Sequence, residues 1–370
     1  MSELVAICAR GCMDDGLEQQ PYLEKGNWNE YELERDISNN DFEKEIRDLN
    51  DNTTYLMDLD DFSRIKKDMI QMENFNYKFS MGSHKYSLIK ELILVIENDT
   101  YDFNWNEIMN IKIGFTIGNS LINGNSIPME YNILLCNLLG KRIKEKNNIV
   151  KIHCAFFELL KNNFLNYSKF KNLDGFFFSP ITRHNISITI NTETTNLNFK
   201  LIIKYRKLKN ILKDIGDVTY DMPIFGFNLI QNLRENNNLY DIGLSLINKF
   251  LIIKIIADDH NLLNIQSINL YLNGCDPINF NIYQDEIQEI SLFDDKYIII
   301  SLSPSFKNIS KLCDNLRKGI VDQYGINMSR IDKIRIGIND ISPQTNIDIC
   351  GVYVNIAKMA RGMIGVVYSY

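Results

Sequence analysis

Histidine is scarce in this chain, four in 370 residues, and none sits in a recognisable nucleophile or metal motif, so an enzyme is not expected. Seven prolines and modest alanine stand beside heavy use of Ile, Asn, Lys and Asp, a coding bias and not a physical signal. No stretch reaches the roughly 18 apolar residues of a membrane-spanning helix, so no span is expected. The opening Leu4-Val-Ala-Ile-Cys8 is too short for a signal peptide and lacks a basic flank, which makes a reducing compartment the expectation. Seven scattered cysteines, odd in number and without metal-like clustering, agree with it. Basic charge is also short. Lys and Arg number 40 against 47 Asp and Glu, a net charge of −7 with a pI near 5.3. Direct, sequence-independent binding of nucleic acid needs a basic footprint, so no nucleic-acid partner is expected.

What is present describes a globular protein: 45% apolar residues, 11% of the chain aromatic, and length enough for two cores. Acidity concentrates between Asp36 and Asp61. The basic concentration is Lys200, Lys204, Arg206, Lys207, Lys209 and Lys213. It reads either as the solvated face of a short helix or as a patch that meets lipid headgroups or another acidic surface.

The strongest pattern is an internal repeat. Residues 327–338, then Gly351-Val-Tyr-Val-Asn-Ile356, alternate large and small residues with the period of two of a half-buried strand. A weaker copy lies about 150 residues upstream, in 179–190 followed by 197–205. Ile111 to Gly118 and Ile268 to Gly274 form a third pair, each a strand ending in Gly/Asn turn chemistry that accepts positive φ. The apolar runs Leu92–Ile96 and Phe250–Ile256 form a fourth. Four pairs in the same order imply two fused copies of one β-rich domain.

Helices interrupt this pattern rarely. Pro128, the spacing of Tyr131, Leu134, Leu135, Leu138 and Leu139, and the stop at Gly140 predict one helix within 127–146. Lys207–Ile215 and Ile309–Lys318 suggest two more, and 31–73 fits either helix or loop. Many short strands and no βαβ alternation predict an all-β chain of two consecutive jelly-roll β-sandwiches with a few short helices in the loops. The expected division is a first jelly roll with an N-terminal arm over 1–207, a joint over 208–225, and a second jelly roll over 226–370. In the predicted registers Ile186, Ile188 and Ile190 face one core with Ser187 and Thr189 opposite, and Ile334, Ile336 and Ile338 are buried with Arg335 outside.

Candidate chemistry gives way to plainer readings. Asp258-Asp-His260 follows an apolar strand and reads as a turn, Asp58-Leu-Asp-Asp61 lacks the spacing of a calcium loop, and Cys8 and Cys12 have no second pair for zinc. His153 and Cys154 are adjacent and point to opposite faces of any strand, so they do not make a nucleophile pair. Gly362-Met-Ile-Gly365 is not a phosphate loop, since no Lys-Ser/Thr follows. The Asn-x-Ser/Thr matches at Asn98, Asn166, Asn185 and Asn327 are expected to stay unused in an Asn-rich chain. Arg330 and Asp332, on alternating positions of one predicted strand, share a face, as a strand or subunit ion pair or as an exposed pair of little worth. No catalytic residue, metal ligand or cofactor site is implied.

The order of landmarks resembles the double jelly-roll major capsid proteins of large eukaryotic DNA viruses and their relatives. The similarity spans nearly the whole chain and is strongest in the last third. Leu4-Val-Ala-Ile7 is similar to the family's opening. Phe115-Thr-Ile-Gly118 and the helix after Pro128 resemble its first-barrel strand, turn and helix, and Phe176-Phe-Phe-Ser-Pro180 its aromatic strand. The second barrel's Leu-Asn-Gly-x-Asp element is present as Leu272, Asn273, Gly274 and Asp276, and its Ser-Arg-Ile-Asp element as Ser329, Arg330, Ile331 and Asp332. The glycine-bearing C-terminal strand resembles Met359 to Tyr370, with Gly362 and Gly365. Pro277 and Ile278 depart from the aromatic or basic residue usual after Leu-Asn-Gly, and the loops are short, which implies a low outer surface. The resemblance implies a structural protein of a virion, assembled in the host cytoplasm. It would form a homotrimer and contact lattice neighbours, other capsid proteins and an internal membrane. A minor capsid protein or assembly scaffold of the same fold is the alternative, and a glycan- or protein-binding β-sandwich is the alternative of another class.

Overall fold

The structure, a computed structural model, describes residues 63–72, 75–82, 88–98, 104–118, 120–121, 126–146, 148–167, 175–177, 183–193, 197–206, 220–234, 239–256, 265–292, 295–303, 308–319, 325–339, 345–360 and 363–366. The expectations for the acidic segment, for Lys207–Ile215, for Asp258-Asp-His260, and for Cys8, Cys12 and Gly362 lie outside these residues. Two compact units divide the chain. The first holds Asn27–Ile224, Leu316–Ile320 and Ile356–Tyr370, and the described residues of the second fall in Phe225–Asn315 and Val321–Asn355.

The first roll begins with β1 (Ser63–Asp68), β2 (Ile70–Gln71), β3 (Asn76–Gly82), β4 (Leu88–Asn98), β5 (Lys112–Ile117) and β6 (Ser120–Leu121). It continues with β7 (Ile127–Pro128), β8 (Lys144–Lys146), β9 (Ile149–His153), β10 (Phe176–Phe177), β11 (Asn185–Asn191) and β12 (Leu197–Arg206). Helices α1 (Trp105–Asn110), α2 (Met129–Leu138) and α3 (Ala155–Tyr167) lie between strands. One sheet has the order β1-β12-β4-β9-β8 with β10 on β4, and the other β2-β3-β11-β5-β6 with β7 on β5. In β4 the whole run Leu92–Ile96 is buried, as befits a strand laddered on both sides and covered on both faces. Ile186, Ile188 and Ile190 of β11 are buried as the alternation requires. Thr189 is half-buried, but Ser187 is buried too, with its hydroxyl 2.8 Å from that of Ser80 on β3. A hydroxyl pair across the ladder lets a polar position leave water.

Helix α2 forms where its signals stand. Pro128 occupies the N-cap at φ −55, and Gly140 follows the helix at φ +73. Every residue of α2 except Asn137 is buried, so it is an interior helix and not an amphipathic surface one. Helices α1 and α3 were not foreseen. The apolar pairs Phe156-Phe157 and Leu159-Leu160 of α3 have helical spacing, but β-favouring aromatics and asparagines mask it.

The second roll comprises β13 (Tyr220–Leu233), β14 (Tyr240–Ile242), β15 (Ile247–Ile256), β16 (Ser267–Leu272), β17 (Ile278–Asn281) and β18 (Ile287–Leu292). After these come β19 (Asp295–Ser301), α4 (Ile309–Lys318), β20 (Ile326–Asn327), β21 (Ile334–Ile338), β22 (Asn346–Ala360) and β23 (Met363–Val366). Its sheets have the orders β13-β22-β15-β19-β18, with β20 on β15 and β23 on β22, and β14-β21-β16-β17. Ile268, Leu270 and Leu272 of β16 pack with Leu251, Ile253 and Ile255 of β15 and with Ile334, Ile336 and Ile338 of β21 in one apolar cluster. Arg335 lies outside it and is half-buried.

Counting eight principal strands in each roll exposes the repeat. In the first these are β1, β3, β4, β5, β6, β9, β11 and β12; in the second, β13, β14, β15, β16, β17, β19, β21 and β22. Both rolls have the sheet orders 1-8-3-6 and 2-7-4-5, the interleaving of a jelly roll. The sequence landmarks fall on equal places: β4 and β15 third, β5 and β16 fourth, β11 and β21 seventh, β12 and β22 eighth.

Two expectations are corrected. Ser329-Arg-Ile-Asp is not strand: Met328–Arg330 is a 3-10 turn, and regular pairing resumes at Ile334. Arg330 and Asp332 therefore do not alternate along a ladder. The C-terminal stretch is not one strand but the end of β22 and a short β23 folded back on it, Ala357 opposite Val366 and Ala360 opposite Met363.

Candidate functional site

The two motifs of the second roll clip together. Asn273 (φ 50) and Gly274 (φ 78) both take left-handed backbone to turn β16 toward β17. Asparagine and glycine tolerate that region best. The Asn273 amide donates to Lys333 O at 2.8 Å, and Lys333 N donates back to Asn273 Oδ1 at 2.9 Å. Four residues earlier, Ser329 Oγ accepts the amide of Leu246 at 2.7 Å, and Met328 N donates to Leu246 O at 2.9 Å. Leu246 has φ 63, so these bonds hold a leucine in an unfavoured conformation. Leu272 and Ile331 anchor the clip in the core, while Asp276, Ser329, Arg330 and Asp332 are exposed. The site is therefore a structural brace, and its hydrogen bonds were not legible in the sequence.

Asn273→Ala is expected to destabilise the protein by about 1–2 kcal/mol, from left-handed strain and a lost acceptor. Asn273→Gly, which removes the acceptor but welcomes the backbone, should lose about 1 kcal/mol or less. Urea unfolding of both variants checks this, and equal losses would show that the backbone conformation does not matter there.

Gly118 and the C-terminal hairpin meet in the first unit. Gly118 has φ +64, and a Cβ there would stand 2.9 Å from the His184 ring. His184 Nδ1 in turn accepts the amide of Ile364 on β23 at 3.2 Å. Gly365 lies opposite Lys358 and has open space where a Cβ would go.

A third cluster surrounds Glu158 of α3, whose side chain is 1% exposed. Lys161 Nζ stands 2.8 Å from one carboxylate oxygen, Lys141 Nζ 3.5 Å from the same one, and His153 Nδ1 3.7 Å from the other. Burial alone would raise the Glu158 pKa, but the facing His153 imidazole and the two ammonium groups outweigh it and hold it at about 2. Nearby, Asn132 of α2 bridges the bend, accepting Ala155 N and donating to His153 O, each at 2.9 Å. Burial pushes the thiol of Cys154 up to about 12, far from nucleophilic use. The arrangement ties α2, β9 and α3 together.

The described residues contain no group of three or more His, Cys, Asp or Glu placed to hold a metal ion. Among them no helix is long and apolar enough to cross a membrane. Lys200 belongs to the outer face of a sheet, where it and Lys66 both bind Glu97. That side-chain pairing gives part of the basic concentration a structural use. Edge strand β8 is Lys-Glu-Lys with every residue exposed, a charged edge that discourages further pairing. Edge strand β2 differs, since Ile70, Met72 and Phe75 in and beside it are exposed.

No protein-family model matches the sequence, and neither does any curated protein. Solved structures do match. The PBCV-1 protein VP54, in a structure fitted into a cryo-EM reconstruction of the virophage Sputnik, is 10% identical with a TM-score of 0.55, covering 84% of this chain and 97% of that one. A quasi-atomic model of the PBCV-1 virus capsid is 9% identical with a TM-score of 0.51, at the same coverages. At these identities the likeness speaks of backbone and not of side chains. With the doubled 1-8-3-6 and 2-7-4-5 strand orders it shows that the chain has the double jelly-roll fold of those capsid structures.

Proposed function

We propose that the chain is a structural capsid protein, a double jelly-roll subunit whose homotrimers tile an icosahedral shell. The observation that carries this reading is the pair of like rolls in one chain, shared with VP54 over 97% of that protein. Two similar lobes repeated by a three-fold axis give a pseudo-hexameric outline, and closed symmetry makes such a trimer discrete. Its partners would be copies of itself, lattice neighbours and other capsid proteins, with an internal membrane as an adjoining surface. Its place would be the virion, after assembly in the host cytoplasm. The acidic balance suits a shell held away from nucleic acid.

Light scattering of the purified protein at two concentrations tests the reading. The expected result is a persistent species at three times 43.1 kDa, about 129 kDa. A clean monomer at both concentrations would remove the trimer.

A minor capsid protein or assembly scaffold is the second reading, favoured by short connections. Only Asn273–Pro277 separate β16 from β17, and Ile282–Glu286 separate β17 from β18. Protein stoichiometry of purified particles separates the roles, since a scaffold is absent from mature virions. A ligand-binding sandwich would need clustered exposed aromatics at its loop tips. The exposed large aromatics among the described residues are Phe75 and Tyr283, one in each unit.

A further inference from the structure

Strand β23 is a four-residue strand whose ladder partner is β22. Ile364 at its centre is 2% exposed, so its amide needs an acceptor away from water. That acceptor is not a neighbouring strand but the Nδ1 of His184, 180 residues earlier in the chain. A ring nitrogen accepts a hydrogen bond only while it carries no proton, which puts the ring's proton on Nε2. The ring is seated by Gly118, where any side chain would displace it, and the Gly118 amide is committed to Asn185 O at 2.8 Å.

We propose that His184 is a proton-sensitive latch on the C-terminal strand: the neutral ring holds β23 through the Ile364 amide, and protonation removes the acceptor and frees the strand. Imidazole is the side chain that ordinarily changes charge between pH 5 and 8. Protonation turns Nδ1 into a donor that faces another donor, so the bond is replaced by a repulsive contact and not merely weakened. Among the described residues of the strands around the ring, no carboxylate is paired with it. Arg183 adjoins the ring in sequence, and β11 and β23 carry no charged residue. Lys112 lies at the far end of β5, Lys78 of β3 pairs with Thr189, and Lys358 of β22 pairs with Gly365. All of these are cations. The carboxylate on β22, Asp348, accepts the amide of Asn232. Loss of the latch leaves β23 held by its short ladder to β22 and by the buried Ile364 side chain, and short terminal ladders open readily.

The test is amide hydrogen exchange of the full chain at Ile364, corrected for the intrinsic pH dependence of exchange. The expected result for the native protein is protection at pH 8 that falls at least tenfold by pH 5. His184→Gln, whose side-chain oxygen can accept at any pH, should show protection that is the same at both. Should glutamine fail to reach the amide, His184→Phe keeps the ring's bulk without an acceptor, and Ile364 should then exchange fast at both values. Native protection that is flat between pH 8 and 5 would overturn the latch. So would an equal fall in either variant, because the proton would then act elsewhere.

Discussion

Glu158→Gln is expected to lower stability by about 3 kcal/mol at pH 7 and by almost nothing near pH 2. The carboxylate is pulled from its ordinary 4.5 to about 2 despite its burial, because ammonium groups at 2.8 and 3.5 Å and the His153 ring at 3.7 Å favour the charged form. A carboxyl group with a depressed folded-state pKa stabilises the fold above its unfolded pKa. That stability is lost as pH falls through the folded value, so the window here runs from about 4.5 down to 2. Glutamine keeps the shape and removes the charge, leaving the 11%-exposed Lys161 with a neutral partner and a backbone carbonyl, Lys90 O at 3.1 Å. Urea unfolding of native and variant proteins at several pH values reads the difference directly. A loss that did not shrink on acidification would mean the glutamate acts through packing and not through charge.

Gly319→Ala is expected to cost about 3 kcal/mol or more, while Gly274→Ala costs about 1 kcal/mol. Both glycines have left-handed backbone, at φ +68 and +78, so both variants incur the same local strain. They differ in what a methyl group would meet. At Gly274 there is open space, whereas at Gly319 the new Cβ would stand 1.9 Å from Asn162 O and 2.2 Å from Asn162 C. Those are backbone atoms of α3, so no rotamer change relieves the clash and the helix itself must shift. That shift would strain a helix whose Asn163, 1% exposed, is committed to Pro223 O at 3.0 Å. Thermal unfolding of the two variants side by side separates strain from clash. Equal losses would show that α4's end can withdraw without cost.

Much of the fold was legible because its causes are local. Ile186, Ile188 and Ile190 alternate with polar residues, and a strand with one buried face has a single register that satisfies them. Pro128 and Gly140 bracket α2 because proline suits a helix's first turn and glycine its left-handed exit. Ser329-Arg-Ile-Asp failed for a local reason as well. Alternation suggested a strand, but Asn327 Oδ1 accepts Ser329 N and winds the backbone into a turn before pairing resumes. Helix α3 was missed because its aromatics favour strands and its asparagines disfavour helix interiors, and burial in the first roll overrides those preferences.

The amino-acid order by itself determined that there are two β-rich copies, which residues of their strands face inward, and where the Asn273-Gly274 turn and helix α2 stand. Periodicity, caps and positive-φ residues act within a few positions, so they survive being read along a line. Only the tertiary structure decided the 1-8-3-6 and 2-7-4-5 strand orders, the ammonium groups around Glu158, and the meeting of His184 with Ile364. Those depend on which segments share a ladder or a buried site, and a choice among partners as far apart as His184 and Ile364, 180 residues, leaves no periodic trace in the chain.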